Sequence, residues 1–307
     1  MIPDKNFVTI GGNLELIKNF LREIILYPRA NIIKWSRITN QTPNLKIGYP
    51  AQHLASLITG VKGTATGARG DDLCDKTEVK ACSRIDQLDT CKKCREKVMR
   101  NQNSCPKCGS TDIKRNNDSK WLISIRSEKE LSMYLEEIPR TLFIISDYPR
   151  FEEGDYESMR IRAYEIWNQS PRAKNFGQLL KDYYHKIYLE HILKNPNKTP
   201  APKNFWPYSF QFYMCNPIKT FECTVSGFNG HDFKIDVTHY VEPITDRSCI
   251  ESERMPISIL NKNELEIISK SIEITGDYIT EKQRDKIPLR DTSKPTSQKS
   301  EYRRGKK

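Results

Sequence analysis

No stretch of this 307-residue sequence approaches the roughly 18 consecutive apolar residues that a membrane helix requires. The opening MIPDKNFVTI lacks the charged and apolar regions of a secretory signal, so a cytoplasmic chain with no membrane partner is expected. No segment repeats, which argues against solenoids and propellers. His53, His185, His191, His231 and His239 form no metal-ligand pattern; His185 and His191, six apart, do not share a helix face. Of the nine cysteines, Cys74, Cys82, Cys215, Cys223 and Cys249 have no partner spacing. In a reducing compartment they are expected to be small buried apolar residues or ordinary thiols.

What the chain has in excess is positive charge: 50 Lys and Arg against 39 Asp and Glu, a net +11. Such a balance suits a polyanion, nucleic acid before an acidic membrane surface. The length allows one large domain or two ordinary ones.

Residues 13–34 carry Leu14, Leu16, Ile17, Phe20, Leu21, Ile24 and Ile25 at helical spacing, which predicts an amphipathic helix stopped near Pro28, for packing or dimerisation. A short helix fits 50–61. GVKGTATGARGDD then places Gly60, Gly63, Gly67 and Gly70 in a loop. Its end, ARGDDLC, is expected to form a first strand, 76–83 a second, WLISIRS from Trp121 a third, 128–138 a helix, and the apolar run 141–148 a buried strand. The order is that of an α/β mixed sheet flanked by helices. Beyond it, 155–194 reads as helical, 195–208 as a Pro-rich loop, 209–242 as strands and 262–272 as a helix. The polar, basic segment from 291 reads as a disordered tail, whose Arg303, Arg304, Lys306 and Lys307 add non-specific electrostatics.

Candidate chemistry sits in GDDLCDKTEVK. On a strand, Glu78 and Lys80 project to one face while Val79 enters the core. An aspartate in the preceding turn can then approach Glu78, and two converging carboxylates make a hard oxygen site suited to magnesium. Such a site serves phosphodiester hydrolysis, with Lys80 as a fixed cation beside developing negative charge. Asp71 and Asp72 would face opposite sides of a strand, so only one can sit beside Glu78. Asp72, with apolar Leu73 after it, is preferred, Asp71 stays open, and Asp75 is assigned to the turn.

Cys91 and Cys94, then Cys105 and Cys108, spell CxxC, ten residues, CxxC, the pattern of a closed four-thiolate zinc site with a structural role. Lys92, Lys93, Arg95, Lys97, Arg100, Lys107, Lys114 and Arg115 surround it, as for a basic knob beside a nuclease centre that grips phosphates, or simply a solvated face. In NKTPAPKNFWPYSFQFY, Lys198, Lys203 and Asn204 are candidate DNA contacts, against a plain aromatic-anchored loop.

GDDLCDKTEVK and the strand order around it resemble the PD-(D/E)xK nuclease superfamily. YPAQHLASLITGVKGTATGARGDDL, the cysteines after EVKACSRIDQLD, DSKWLISIRSEKEL and KNPNKTPAPKNFWPYSFQFYMCNPIK resemble the MamI-like group of type II restriction endonucleases. Asp stands where the superfamily has Pro before its metal-binding Asp. The resemblance implies a restriction-endonuclease-like fold with an inserted zinc ribbon and additional α+β C-terminal elements. It also implies magnesium-dependent, sequence-specific cleavage of double-stranded DNA by a homodimer. By position, Asp72 or Asp71 and Glu78 would hold magnesium and Lys80 would be catalytic, with Gln52 and Lys120 as accessory candidates. The expected layout is a helical region 1–49, a nuclease core 50–150 with the ribbon at 86–117, a recognition and dimerisation region 151–290, and the tail 291–307. The competing functions are a repair or junction-resolving nuclease and a non-catalytic zinc-ribbon DNA-binding protein.

Overall fold

A computed structural model describes residues 1–44, 46–65, 71–270 and 276–290. In chain order it holds α1 (Leu14–Phe20), α2 (Tyr27–Thr39), α3 (Gly48–Thr59), β1 (Glu78–Ser83), β2 (Asp89–Cys91), β3 (Lys97–Val98), β4 (Ile113–Lys114) and β5 (Trp121–Ile123). There follow α4 (Glu128–Ser132), β6 (Thr141–Asp147), β7 (Ser158–Ile166), α5 (Lys174–Tyr183), α6 (Leu189–Lys194), β8 (Lys203–Phe205) and α7 (Phe210–Met214). β9 (Ile218–Ser226), β10 (Lys234–Tyr240), β11 (Met255–Pro256), α8 (Lys262–Ser269), β12 (Tyr278–Ile279) and α9 (Glu281–Arg284) complete it.

Among the described residues the central sheet is five-stranded and mixed, ordered β1-β6-β7-β9-β10. Only β1 and β6 are parallel, with Glu78 opposite Thr141 and Lys80 opposite Phe143. Strand alternation sorts the side chains into two cores. On one face Val79, Leu142, Ile144, Ile161, Ala163 and Val225 pack under Ile17, Leu21, Leu54 and Ile58 of the N-terminal helices. On the other, Cys82, Phe143, Ile145, Tyr164 and Ile166 meet α4, α5, α7 and α8 through Leu131, Phe176, Leu180, Phe212 and Ile268. Glu78 and Lys80 share this second face, at the rim where β1 begins.

Several expected elements differ. The first helix does not stop at Pro28: a π-helical stretch, Leu21–Leu26, precedes α2, and Pro28 falls in the first turn of α2. The helix is continuous there, so Pro28 lacks one ladder hydrogen bond, and the widened π-helical turn accommodates the carbonyl its ring would strike. WLISIRS does not join the central sheet. β5 pairs with β8, Trp121 opposite Phe205, as Trp121 is drawn into the aromatic core. Residues 158–166 form a strand where a helix was expected; Met159, Ile161 and Ala163 alternate with Arg160, Arg162 and Tyr164, a period of two. The central sheet therefore runs across residue 150, with β7, β9 and β10 beyond it. Of the expected first strand, Leu73 forms an isolated bridge to Gly63, while residues 66–70 lie outside the described residues. So do 271–275, at the end of the expected helix 262–272, and the tail 291–307.

Candidate active site and thiolate cluster

The turn between Leu73 and Thr77 sets the carboxylate geometry. Leu73 is fully buried and anchors it, Lys76 adopts φ 63° and donates its N–H to the Leu73 carbonyl, and the chain re-emerges as β1. This fold-back lays Asp72 against the start of that strand, where the Val79 N–H donates to Asp72 Oδ2 at 2.7 Å. From α3, Gln52 Nε2 donates to Asp72 Oδ1 at 2.5 Å. Lys80 Nζ forms an ion pair with Glu78 Oε1, and both side chains retain about a fifth of their exposure. Tyr134, on the helical turn that extends α4, approaches the same Glu78 oxygen at 3.4 Å.

Electrostatics follow from the geometry. Burial first, and then the facing Glu78 carboxylate, push the Asp72 carboxyl up to about 6; the Val79 N–H, the Lys80 cation and Gln52 pull the other way. Two carboxylates are thus held together at a partly open rim with one ammonium for two negative charges. A divalent cation would relieve that excess.

The structure brings Asp72, Glu78, Lys80 and Gln52 together. The Asp71 backbone carbonyl accepts the Thr64 hydroxyl. Asp75 pairs with Arg140 Nη2 at 2.8 Å, and Arg140 also reaches the buried Glu165, so Asp75 belongs to the scaffold. Lys120 does not point into the cluster: its ammonium lies 4.5 Å from the Trp206 ring centroid. Tyr134 was not visible in the sequence, where it reads as one more member of the apolar stripe Leu131, Leu135 and Ile138. A hydroxyl on that stripe was the available signal, interpretable only once α4 is known to cross the start of β1.

Among the described residues the four cysteines form a cluster whose sulfur atoms all lie within 4.8 Å of one another. Cys91 and Cys108 Sγ are 3.6 Å apart, and Cys94 and Cys105 Sγ 3.5 Å. A tetrahedral zinc with bonds of about 2.3 Å calls for sulfur separations of about 3.8 Å, so the cluster fits that ion. Each CxxC closes alike: the N–H of Arg95 donates to the Cys91 carbonyl at 3.0 Å, that of Gly109 to the Cys105 carbonyl at 2.9 Å. Arg95 and Gly109 occupy matching left-handed positions, φ 65° and 68°. Backbone N–H groups, that of Cys94 foremost, lower the Cys91 thiol to about 7, while against the Glu96 N–H, desolvation and the neighbouring sulfurs push the Cys94 thiol up.

This ribbon does not sit beside the carboxylates. It follows the far end of β1, about 16 Å of strand from Glu78. Its base is a buried clamp: Arg100 and Arg115 hold Asp89 at 2.9 and 2.8 Å, and the Arg100 guanidinium lies 5.3–5.5 Å from the ring centroids of Tyr148, Phe151 and Tyr156. Those two arginines are structural. Lys92 and Lys107 pair with Asp112 and Glu96 at the surface, while Lys93, Arg95, Lys97 and Lys114 are exposed. Lys203, expected to reach DNA, is instead buried: its β8 position turns inward, burial lowers its ammonium to about 8, and it donates to Gln211. Its neighbour Asn204 faces solvent.

The sequence model of the MamI restriction endonuclease family matches residues 34–258. The chain belongs to that family. The match takes in the carboxylate turn, the ribbon and all five strands of the central sheet. The chain is also 28% identical over 82 residues to the type II restriction enzyme MamI of Microbacterium ammoniaphilum, a segment covering 27% of each chain. No solved structure matches the chain. No helix among the described residues is long and apolar enough to cross a membrane.

Proposed function

We propose that this MamI-family chain is a type II restriction endonuclease of the PD-(D/E)xK kind, hydrolysing phosphodiester bonds at a specific sequence in double-stranded DNA. The observation that carries the reading is the meeting of Asp72, Glu78 and Lys80 at the start of β1. Asp72 and Glu78 are an all-oxygen donor pair, and their unrelieved negative charge fits magnesium. Bound there, magnesium would polarise the scissile phosphate and acidify a water. Within the chain, Gln52 and the Val79 N–H hold the Asp72 carboxylate in place, and Lys80 supplies a fixed cation where charge develops on the phosphorane. Tyr134 steadies the same Glu78 oxygen that Lys80 pairs with.

Zinc at Cys91, Cys94, Cys105 and Cys108 has a structural role, since four thiolates close the shell. The exposed Lys93, Arg95, Lys97, Lys114, Lys198 and Asn204 are the remaining DNA-contact candidates of those read from the sequence, with Lys92 available where phosphate displaces Asp112. Residues 50–150 carry the catalytic cluster and the ribbon insertion, and residues beyond 150 supply recognition as well as sheet strands. A duplex presents two strands and each chain one centre, so the working form is a homodimer in the cytoplasm.

Digestion of a phage DNA of known sequence with magnesium, followed by mapping of the ends, tests this reading. Discrete fragments with a common end sequence support it. A smear would indicate a nuclease without site specificity, and intact DNA would overturn the catalytic assignment.

A further inference from the structure

One helical face is left largely uncovered, with Tyr27 on it resting one side of its ring on Phe233 and His231. The helix running through the π-helical stretch into α2 buries Leu26, Arg29, Ala30, Ile33 and Ser36. Its opposite side shows solvent Ile24 (45% exposed), Tyr27 (43%), Trp35 (55%) and Ile38 (66%), with the exposed Asn31 midway. Exposed aromatic and aliphatic side chains aligned on one face mark a contact surface rather than scattered surface residues. Two of them, Trp35 and Ile38, are among the most exposed large apolar side chains described.

The order of this stripe specifies its partner. Its spacings are three, four, four and three residues, and its types read aliphatic, aromatic, amide, aromatic, aliphatic. A second copy of the same helix, reversed about Asn31, sets Ile24 level with Ile38 and Tyr27 level with Trp35, twice over. This is the self-complementarity that a two-fold contact requires. Asn31 would meet its own counterpart on the axis, where a single amide in an apolar seam fixes register. Charge agrees. Glu23 and Arg37 lie on the same flank, are exposed and enter no ion pair among the described residues. In the reversed pairing they come within about 3 Å of one another along the axis, at 1.5 Å per residue. A DNA-facing helix would show a row of cations here; on this one the row is apolar, with Glu23, Lys34 and Arg37 beside it.

We infer that this helix face, Ile24 to Ile38, is the surface on which two copies of the chain associate, as an antiparallel helix pair. The inference rests on the duplex-cutting reading only for its motive, because the pairing can be measured without DNA. Sedimentation velocity on the full chain at micromolar concentration should show a dimer. Trp35→Asp combined with Ile38→Asp should weaken it ~100-fold or more, the effect of removing central apolar anchors, with an unchanged circular dichroism spectrum. Glu23→Arg should weaken it less, and adding Arg37→Glu should restore it. Asn31→Cys should give an interchain disulfide under mild oxidation, beyond any formed by the parent chain. A monomeric wild type, an undiminished dimer in the Trp35/Ile38 variant, or an Asn31→Cys chain that fails to cross-link while Lys34→Cys does would overturn the inference. If these results hold and DNA stays intact, only the nuclease reading fails.

Discussion

Replacing Asp72 by Asn should make the metal-free protein more stable and the enzyme inactive. Burial and the facing Glu78 raise the Asp72 carboxyl from 3.8 to about 6. At about 1.36 kcal/mol per decade this amounts to an upper value of about 3 kcal/mol against the ionised form at neutral pH. The group keeps solvent contact, and screening reduces the effect to about 1 kcal/mol. The sign is set by the folded state binding the proton more tightly than the unfolded chain, so this contribution is present at low pH and is lost as pH rises from about 4 to about 6. An asparagine fits the same contacts: its carbonyl accepts the Val79 N–H, and its amide donates to Gln52 once that side chain is turned over. Thermal melts in chelator at pH 7.5 should place Asp72→Asn about 2 °C above wild type. The gain should shrink as pH falls and vanish only well below the unfolded value of 3.8, where both states are protonated. Adding 10 mM magnesium, an amount on the order of what a weak carboxylate site needs, should raise the wild-type melting temperature and leave the variant unmoved. An equal gain at pH 7.5 and near pH 4, or a variant less stable than wild type at pH 7.5, would refute the reasoning.

Other outcomes follow from the same geometry. Tyr134→Phe removes the hydroxyl 3.4 Å from Glu78 and should raise the magnesium concentration for half-maximal cleavage several-fold, with little loss of rate at saturation. Cys105→Ser opens the thiolate cluster and should abolish stoichiometric zinc by metal analysis while the ribbon becomes protease-sensitive. Gly109→Ala should cost about 1 kcal/mol in chemical denaturation from backbone conformation alone, since φ is 68° and no atom lies within 4 Å of the added methyl. Arg140→Met removes one of the two cations that hold the buried Glu165 and the ion partner of Asp75, and should destabilise the fold by about 3 kcal/mol.

The legible parts of this molecule were those written in local patterns. The CxxC pairs give the thiolate cluster outright, because each turn grips two ligands regardless of what surrounds it. The alternation of Glu78, Val79 and Lys80 sets which two side chains share a face, and the run 141–147 appears as the buried strand it suggests. What depends on partners at long sequence range was not legible. Residues 158–166 were read for helical spacing although their alternation is that of a strand between β6 and β9. Nothing around Trp121 says that its partner is Phe205, more than eighty residues on. Lys203 looks like a phosphate contact until β8 turns it inward. Tyr134 is the same lesson in reverse: a packing residue in the sequence acquires a polar role from the strand its helix crosses.

The most direct test of the central claim is single-turnover cleavage of a mapped DNA site by wild type, Glu78→Ala and Lys80→Ala, under one magnesium buffer. Each side chain is only partly buried, so both variants should fold and bind the duplex. The account predicts site-specific cutting by wild type and a loss on the order of 1,000-fold or more in each variant, as for removal of a group that stabilises transition-state charge. Cleavage by either variant at the wild-type rate would contradict it.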